Sequence, residues 1–233
     1  MYGYCFEFFQ PGKRSFTNKE FFQTLNNLSE FDYDIKFRPN DPHIKQNSLE
    51  FRPHESNLNV EVAKKGRWMD LILHPAEGEF GTIGWLTIDE EQLQEQFKDE
   101  QAINGKILTE AGFAIFDSLK PYFAWCDHEL ELDKLEEGLR FNRVGAVAWS
   151  NLFSKEFIHR IGGLEKVIFR PEDPREKQRA QAMLNELGFY SLTLEGSPVG
   201  ALSAPTALEC RNRYPGAILK SFEVPARNAI EVW

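Results

Sequence analysis

Apolar and polar positions along the chain follow two rhythms, and the places where one gives way to the other mark out the elements. Tyr2, Tyr4, Phe6 and Phe8 share one parity, a strand signal that Pro11-Gly12 interrupts. Thr17-Asn18-Lys19-Glu20 then forms a capping box, and Phe21, Phe22, Leu25 and Leu28 fall on one face, which predicts a helix over residues 18–29. Three short strands are expected at 33–38, 48–52 and 58–62, separated by turn-forming Pro, Asn and Asp residues, so the segment reads as an antiparallel meander. Lys64-Lys65-Gly66 turns the chain into a strand over 68–74, and residues 75–78 turn it again into a strand over 80–88. Gly81 and Gly84 in that last strand point to a bulge or a close approach.

Past Ile88 the period lengthens. Asp89 is expected to cap a helix over 89–100 that carries Leu93 and Phe97, Asn104-Gly105 reads as a turn, and 109–120 reads as a helix stopped by Pro121. A short aromatic strand is predicted at 122–126, and Asp133 starts a helical turn that ends near Gly138. The stretch from Val144 to Gly163 looks like the organising unit: a buried strand over 144–149, a tight corner holding Trp149, Asn151 and Phe153, then a short helix. Ser154 caps that helix and Gly162-Gly163 end it in the left-handed region. Trp149, Asn151 and Gly162 are therefore read as structural residues: a buried ring, an amide that satisfies loop backbone, and a helix stop. A further strand is expected at 167–169, a helix at 174–187 closed by Gly188, a strand at 189–194, a helix at 203–212 and a closing strand at 217–224. This order predicts an α+β fold, a mainly antiparallel sheet with helices packed on it, as one domain over 1–233 with a loose division near residue 105 as the alternative.

Composition adds one thing to that picture. Phe occurs 20 times in 233 residues, and a ring without a hydrogen-bonding handle belongs inside, so the core is expected to be Phe-rich. Charge adds another. The formal net charge is −9, and it is concentrated: residues 89–100 and 127–137 each hold six acids against one lysine, leaving the rest close to neutral. Converging in space, the two runs would make an acidic surface for a basic partner, with Glu91, Glu95, Asp127, Glu129 and Glu131 as its contact residues. Nucleic acid is disfavoured because no basic footprint exists. No apolar stretch is long enough for a membrane span and no targeting segment is visible, so a cytoplasmic protein is expected. The three cysteines, Cys5, Cys126 and Cys210, are widely spaced and suggest neither a disulfide framework nor a zinc site.

Candidate chemistry is sparse. Cys126-Asp127-His128-Glu129 is the densest run of reactive types, but on a strand Cys126 and His128 would stand parallel and roughly 6–7 Å apart, beyond nucleophile–base contact. His159 sits three residues from Glu156 and reads as a surface pair. No metal-ligand spacing, phosphate loop or nucleophile elbow occurs, so no catalytic residue, metal or cofactor is assigned.

Trp149-Ser150-Asn151-Leu152-Phe153-Ser154 followed by Phe157-Ile158 and Ile161-Gly162 resembles a strand–corner–helix motif of poorly characterised bacterial immunity-type proteins of toxin systems. The run from Leu119 to Asp127 is similar to their helix-then-aromatic-strand approach, and Arg213-Tyr214-Pro215-Gly216 to a late turn, so the resemblance covers about residues 107–165. It implies an α+β fold, no cofactor and a basic toxin as partner. Two functions from different classes follow. The first is a non-enzymatic bacterial binding protein, an immunity protein that neutralises a toxin through its acidic surface. The alternative is an enzyme, a hydrolase or transferase, whose carboxylate/histidine site leaves no short motif.

Overall fold

The parity signal at the start of the chain becomes the middle of the sheet. The computed structural model describes residues 3–10, 18–37, 58–74, 82–89, 98–128, 148, 150–160, 162–168 and 173–193. In chain order these form β1 (Gly3–Phe9), α1 (Asn18–Glu30), β2 (Asp34–Phe37), β3 (Leu58–Lys64), β4 (Arg67–Leu73), β5 (Thr82–Asp89), α2 (Lys98–Leu119), β6 (Phe123–His128) and β7 (Ser150–Ser154). Then come α3 (Lys155–Arg160), a single 3-10 turn (Leu164–Lys166), α4 (Pro174–Glu186) and β8 (Phe189–Thr193). The strands make one eight-stranded antiparallel sheet in the order β2-β3-β4-β5-β1-β6-β7-β8. The α+β reading is borne out, and so is the Phe-rich core, with Phe6, Phe8 and Phe157 among the largest fully buried side chains.

Alternation assigns the two faces. Tyr4, Phe6 and Phe8 of β1 share one face with Leu86 and Ile88 of β5 and Leu71 of β4, all buried beneath α1 and α2. Gly112 of α2 lets that helix down onto the sheet: a Cβ there would lie 2.6 Å from the Phe6 ring. The two helices pack on each other, and Asn27 of α1 donates to Ser118 of α2. The β3–β4 hairpin is tied to the same layer by Lys64, which pairs with Glu110 at 3.1 Å, donates to the Phe31 carbonyl and lies 4.5 Å over the Tyr33 ring. Tyr33 in turn donates to the Ile107 carbonyl at 2.6 Å. Burial, reinforced by the nearby charge of Glu110, pushes the Tyr33 phenol well above its ordinary value. Tyr190 on β8, beside Glu176 and Arg179 of α4, is pushed up in the same way by burial first and Glu176 second.

Several expectations shift. Asp89, expected to open a helix, is the last residue of β5, held opposite Gly3 because β1 supplies a ladder partner that far. Residues 90–97 lie outside the described residues. Asn104-Gly105 is not a turn: α2 runs through it from Lys98 to Leu119. Gly in a helix interior costs about 1 kcal/mol, and the buried run of Ile107, Leu108, Ala111, Ile115 and Leu119 outweighs that. Of the strand expected at 144–149, Ala148 is not in a strand and 144–147 and 149 lie outside the described residues; β7 begins at Ser150. Ser150–Ser154, read as a corner, carries the ladder because its consecutive residues Leu152 and Phe153, one on each face, find partners in Ala124 and Phe123. Val167 and Ile168 do not start a strand; the Val167 N–H closes the 3-10 turn on Leu164, and both side chains are buried without a ladder. The elements expected at 48–52, around 133–138, at 203–212 and at 217–224 lie outside the described residues. No helix among the described residues is long and apolar enough to cross a membrane.

Candidate functional site

The other face of β1 presents Cys5, Glu7 and Phe9, and its centre is polar. Glu7 is 2% exposed. Antiparallel register puts Trp85 of β5 and Trp125 of β6 directly opposite it, one on each side. The Trp85 indole N–H donates to Glu7 Oε1 at 3.3 Å, the Trp125 indole N–H donates to Oε2 at 3.2 Å, and the Thr82 hydroxyl donates to Oε1 at 2.7 Å. Thr82 reaches this point because the β1–β5 register shifts between Phe8 and Phe9. An indole nitrogen can only donate, so the arrangement suits an acceptor-only carboxylate. Around it the rings interlock: Phe9 stacks on Phe123 at 4.8 Å and meets Trp125 edge-on at 4.7 Å, and Trp85 is stacked by His74 at 4.4 Å.

From this centre the face changes character toward each edge. On the β6–β8 side it is buried under aromatic and apolar groups, with Phe157 of α3 packed against Phe123 and Phe153. On the β5–β2 side Trp85, Ile72, Asp70 and Glu61 are half-buried, and Trp68 of β4 is 47% exposed. There Lys36 of β2 holds its ammonium 5.0 Å over the Trp68 ring and 3.5 Å from Glu61 Oε1, while Glu61 pairs in register with Asp70. Aromatic face and carboxylate together cradle a cation at the surface.

The residues singled out in the sequence are distributed as follows. Asp127 is on β6 opposite Cys5. Asn151 is on β7 opposite Trp125 and Leu192 and is 5% exposed; its amide oxygen accepts from the Ala148 N–H, and its amide nitrogen donates to the carbonyls of Ala148 and Leu192. Ser154 Oγ accepts from the Phe157 N–H, which starts α3, and Gly162 and Gly163 follow with φ of +98° and +120°. Cys126 is fully buried opposite Phe6, and His159 is exposed on α3. Glu91, Glu95, Glu129, Glu131 and Trp149 lie outside the described residues. The structure thus brings Asp127 and Asn151 onto adjacent strands of one sheet. Glu7, Trp85, Trp125 and Trp68 had drawn no attention in the sequence. The signal for Glu7 was there: it is the one charged residue within the apolar strand GYCFEFF.

No protein-family model matches the chain, and no curated protein matches it in sequence. Among solved structures it is similar to the Pseudomonas aeruginosa T6SS protein PA0821, at 10% identity and a TM-score of 0.40 over 72% of this chain. The chain spans 61% of the length of that protein.

Proposed function

We propose that this chain is a non-enzymatic bacterial binding protein that takes a basic protein partner, in the manner of an immunity protein that neutralises a toxin. The observation that carries the reading is the Trp68 cradle. An exposed indole and a carboxylate already hold the Lys36 ammonium between them, and a lysine or arginine of a partner would be held by the same two forces. Exposed tryptophan is also the residue type that contributes most at interface centres. The net charge of −9 supports a cationic partner, and in this reading Glu91, Glu95, Asp127, Glu129 and Glu131 add to the field that draws it in.

The test is affinity capture on the immobilised chain from an extract of its own cells, at low and at moderate salt. Wild type, Trp68→Ala and the quadruple reversal of Glu91, Glu95, Glu129 and Glu131 to Lys are compared. A basic protein held by wild type, weakened by salt and lost from both variants is the expected result. A partner retained equally by all three, or indifferent to salt, would overturn the reading, as would capture that fails to distinguish wild type from Trp68→Ala.

A further inference from the structure

β2 is the last strand of the sheet order, and among the described residues nothing pairs with its outer edge. An open edge presents a row of main-chain donors and acceptors that another strand can complete. The residues on that edge select which strand. Asp32 and Asp34 precede Ile35, and Lys36 and Arg38 follow it, so the charge changes sign about Ile35. Within β2 itself the run is Asp34-Ile35-Lys36-Phe37, with Asp34 and Lys36 exposed and Ile35 and Phe37 half-buried.

The two charged residues differ in what holds them. Lys36 stands opposite Glu61 of β3 and pairs with it at 3.5 Å, an accessible contact of low worth. Asp34 stands opposite Ala63 and has no ion-pair partner among the described residues. Alternation puts both on the face that carries Trp68, which lies opposite Ala63 on β4. Phe31, in the turn that leads into β2, is 49% exposed. Of the three large apolar side chains exposed among the described residues, Phe31 and Trp68 thus lie at this end of the sheet, which is its least covered part.

We infer that β2 pairs antiparallel with β2 of a second copy of this chain, about a two-fold axis at Ile35. A two-fold contact must be self-complementary, each residue meeting on the other copy the one that meets it in return. With Ile35 opposite itself, Asp34 of each copy falls opposite Lys36 of the other, once on each side of the axis. Opposite charges directly across an antiparallel pair are favourable. Each Lys36 then lies between Glu61 of its own chain and Asp34 of the second copy, and the Asp34 carboxylate gains a cation. A lysine on an edge strand ordinarily deters pairing; here it selects one register, because moving the axis by one residue sets Asp34 or Lys36 opposite itself. The ladder is four residues long and the net charge of −9 opposes association at long range, so the dimer belongs to the small, weak class of interfaces. The pairing concerns a strand edge and its test needs only the purified chain, so it stands or falls apart from the partner proposed above.

Sedimentation equilibrium of the full chain from about 10 µM to about 1 mM is the test, a span over which a weak pairing passes from monomer to dimer. Wild type should make that passage and stop at the dimer, since a two-fold contact closes on itself. Asp34→Lys and Lys36→Asp each set two like-charged pairs across the axis and should weaken the dimer at least about tenfold. Mixed in equal amounts, the two variants regain two opposite-charge pairs and should associate with each other about as tightly as wild type does. Asp34→Lys and Lys36→Asp combined in one chain should likewise dimerise, and recovery in either case shows that the variants are folded. The inference fails if wild type stays monomeric across the span or assembles beyond the dimer. It fails equally if either single variant associates as wild type does, or if neither the mixture nor the double exchange recovers the dimer.

Discussion

Removing the Glu7 carboxylate perturbs three donors at once, and the loss can be worked out from their geometry. In Glu7→Gln one oxygen remains. It can accept from Thr82 and Trp85 or turn toward Trp125, but either way an amide NH₂ is left facing an indole N–H. Losing one hydrogen bond to a charged acceptor costs about 1.5–3 kcal/mol. In Glu7→Ala both indole N–H groups and the Thr82 hydroxyl lose their acceptor in a site that is 2% exposed, and two or three orphaned donors cost about 4 kcal/mol in all. Trp125→Phe deletes the opposing donor instead. Combined with Glu7→Gln it lets the amide oxygen serve Thr82 and Trp85 unopposed, so the double variant should be about 1–2 kcal/mol more stable than the two single losses added together. Urea unfolding followed by far-UV circular dichroism is the assay, since indole fluorescence would report the perturbed groups themselves. A Glu7→Gln variant within about 0.5 kcal/mol of wild type would refute the reasoning. Strict additivity in the cycle would refute it too.

Other outcomes are expected. Asn151→Ala should cost about 2 kcal/mol by urea unfolding, since it strips partners from backbone groups of Ala148 and Leu192 in a buried setting; a loss under about 0.5 kcal/mol would contradict this. Gly112→Ala should destabilise by about 1–3 kcal/mol by driving a methyl into the Phe6 ring, and Phe6→Leu in the same chain should recover part of it. Tyr33 and Tyr190 both keep their protons in the folded chain to higher pH than in the unfolded one. Their contribution is therefore full below the ordinary phenol value near 10 and is lost as pH rises beyond it, when the unfolded chain ionises first. Denaturation midpoints measured from neutral pH into the alkaline range should fall more gently for Tyr33→Phe and Tyr190→Phe than for wild type.

The local part of the fold was legible and the long-range part was not. Parity in β1, the helical face of α1 and the start of α4 at Pro174 are written within a few residues each, and the structure keeps all three, with Asp173 accepting from the Arg175 N–H at 2.9 Å. Asn104-Gly105 misled because a buried helix face overrode its local preference. Ser150-Asn151 looked like a polar boundary, yet both residues are buried, since the Asn151 amide does for Ala148 what a neighbouring strand would otherwise do. The candidate sites were hidden for a different reason. Glu7 meets Trp85 and Trp125, and Lys36 meets Glu61 and Trp68, only through register, which no short window of sequence displays.

The position of β1 also bears on how the chain comes to be folded. Glu7 finds its partners 75, 78 and 118 residues further along, so the middle of the sheet is closed by contacts of high sequence separation. Such closure is slow, because loop entropy is lost before the contacts repay it. Until β6 is available, the segment GYCFEFF has at least one open edge and four aromatic rings with nothing to pack on. An apolar, β-prone heptad in that state is a seed for intermolecular sheets. Its single interruption is Glu7, a charge that repels its own copies in any in-register stack and that becomes acceptable only when two tryptophans and a threonine surround it. The carboxylate therefore acts twice, as a gatekeeper against self-association before folding and as the acceptor at the centre of the sheet afterwards.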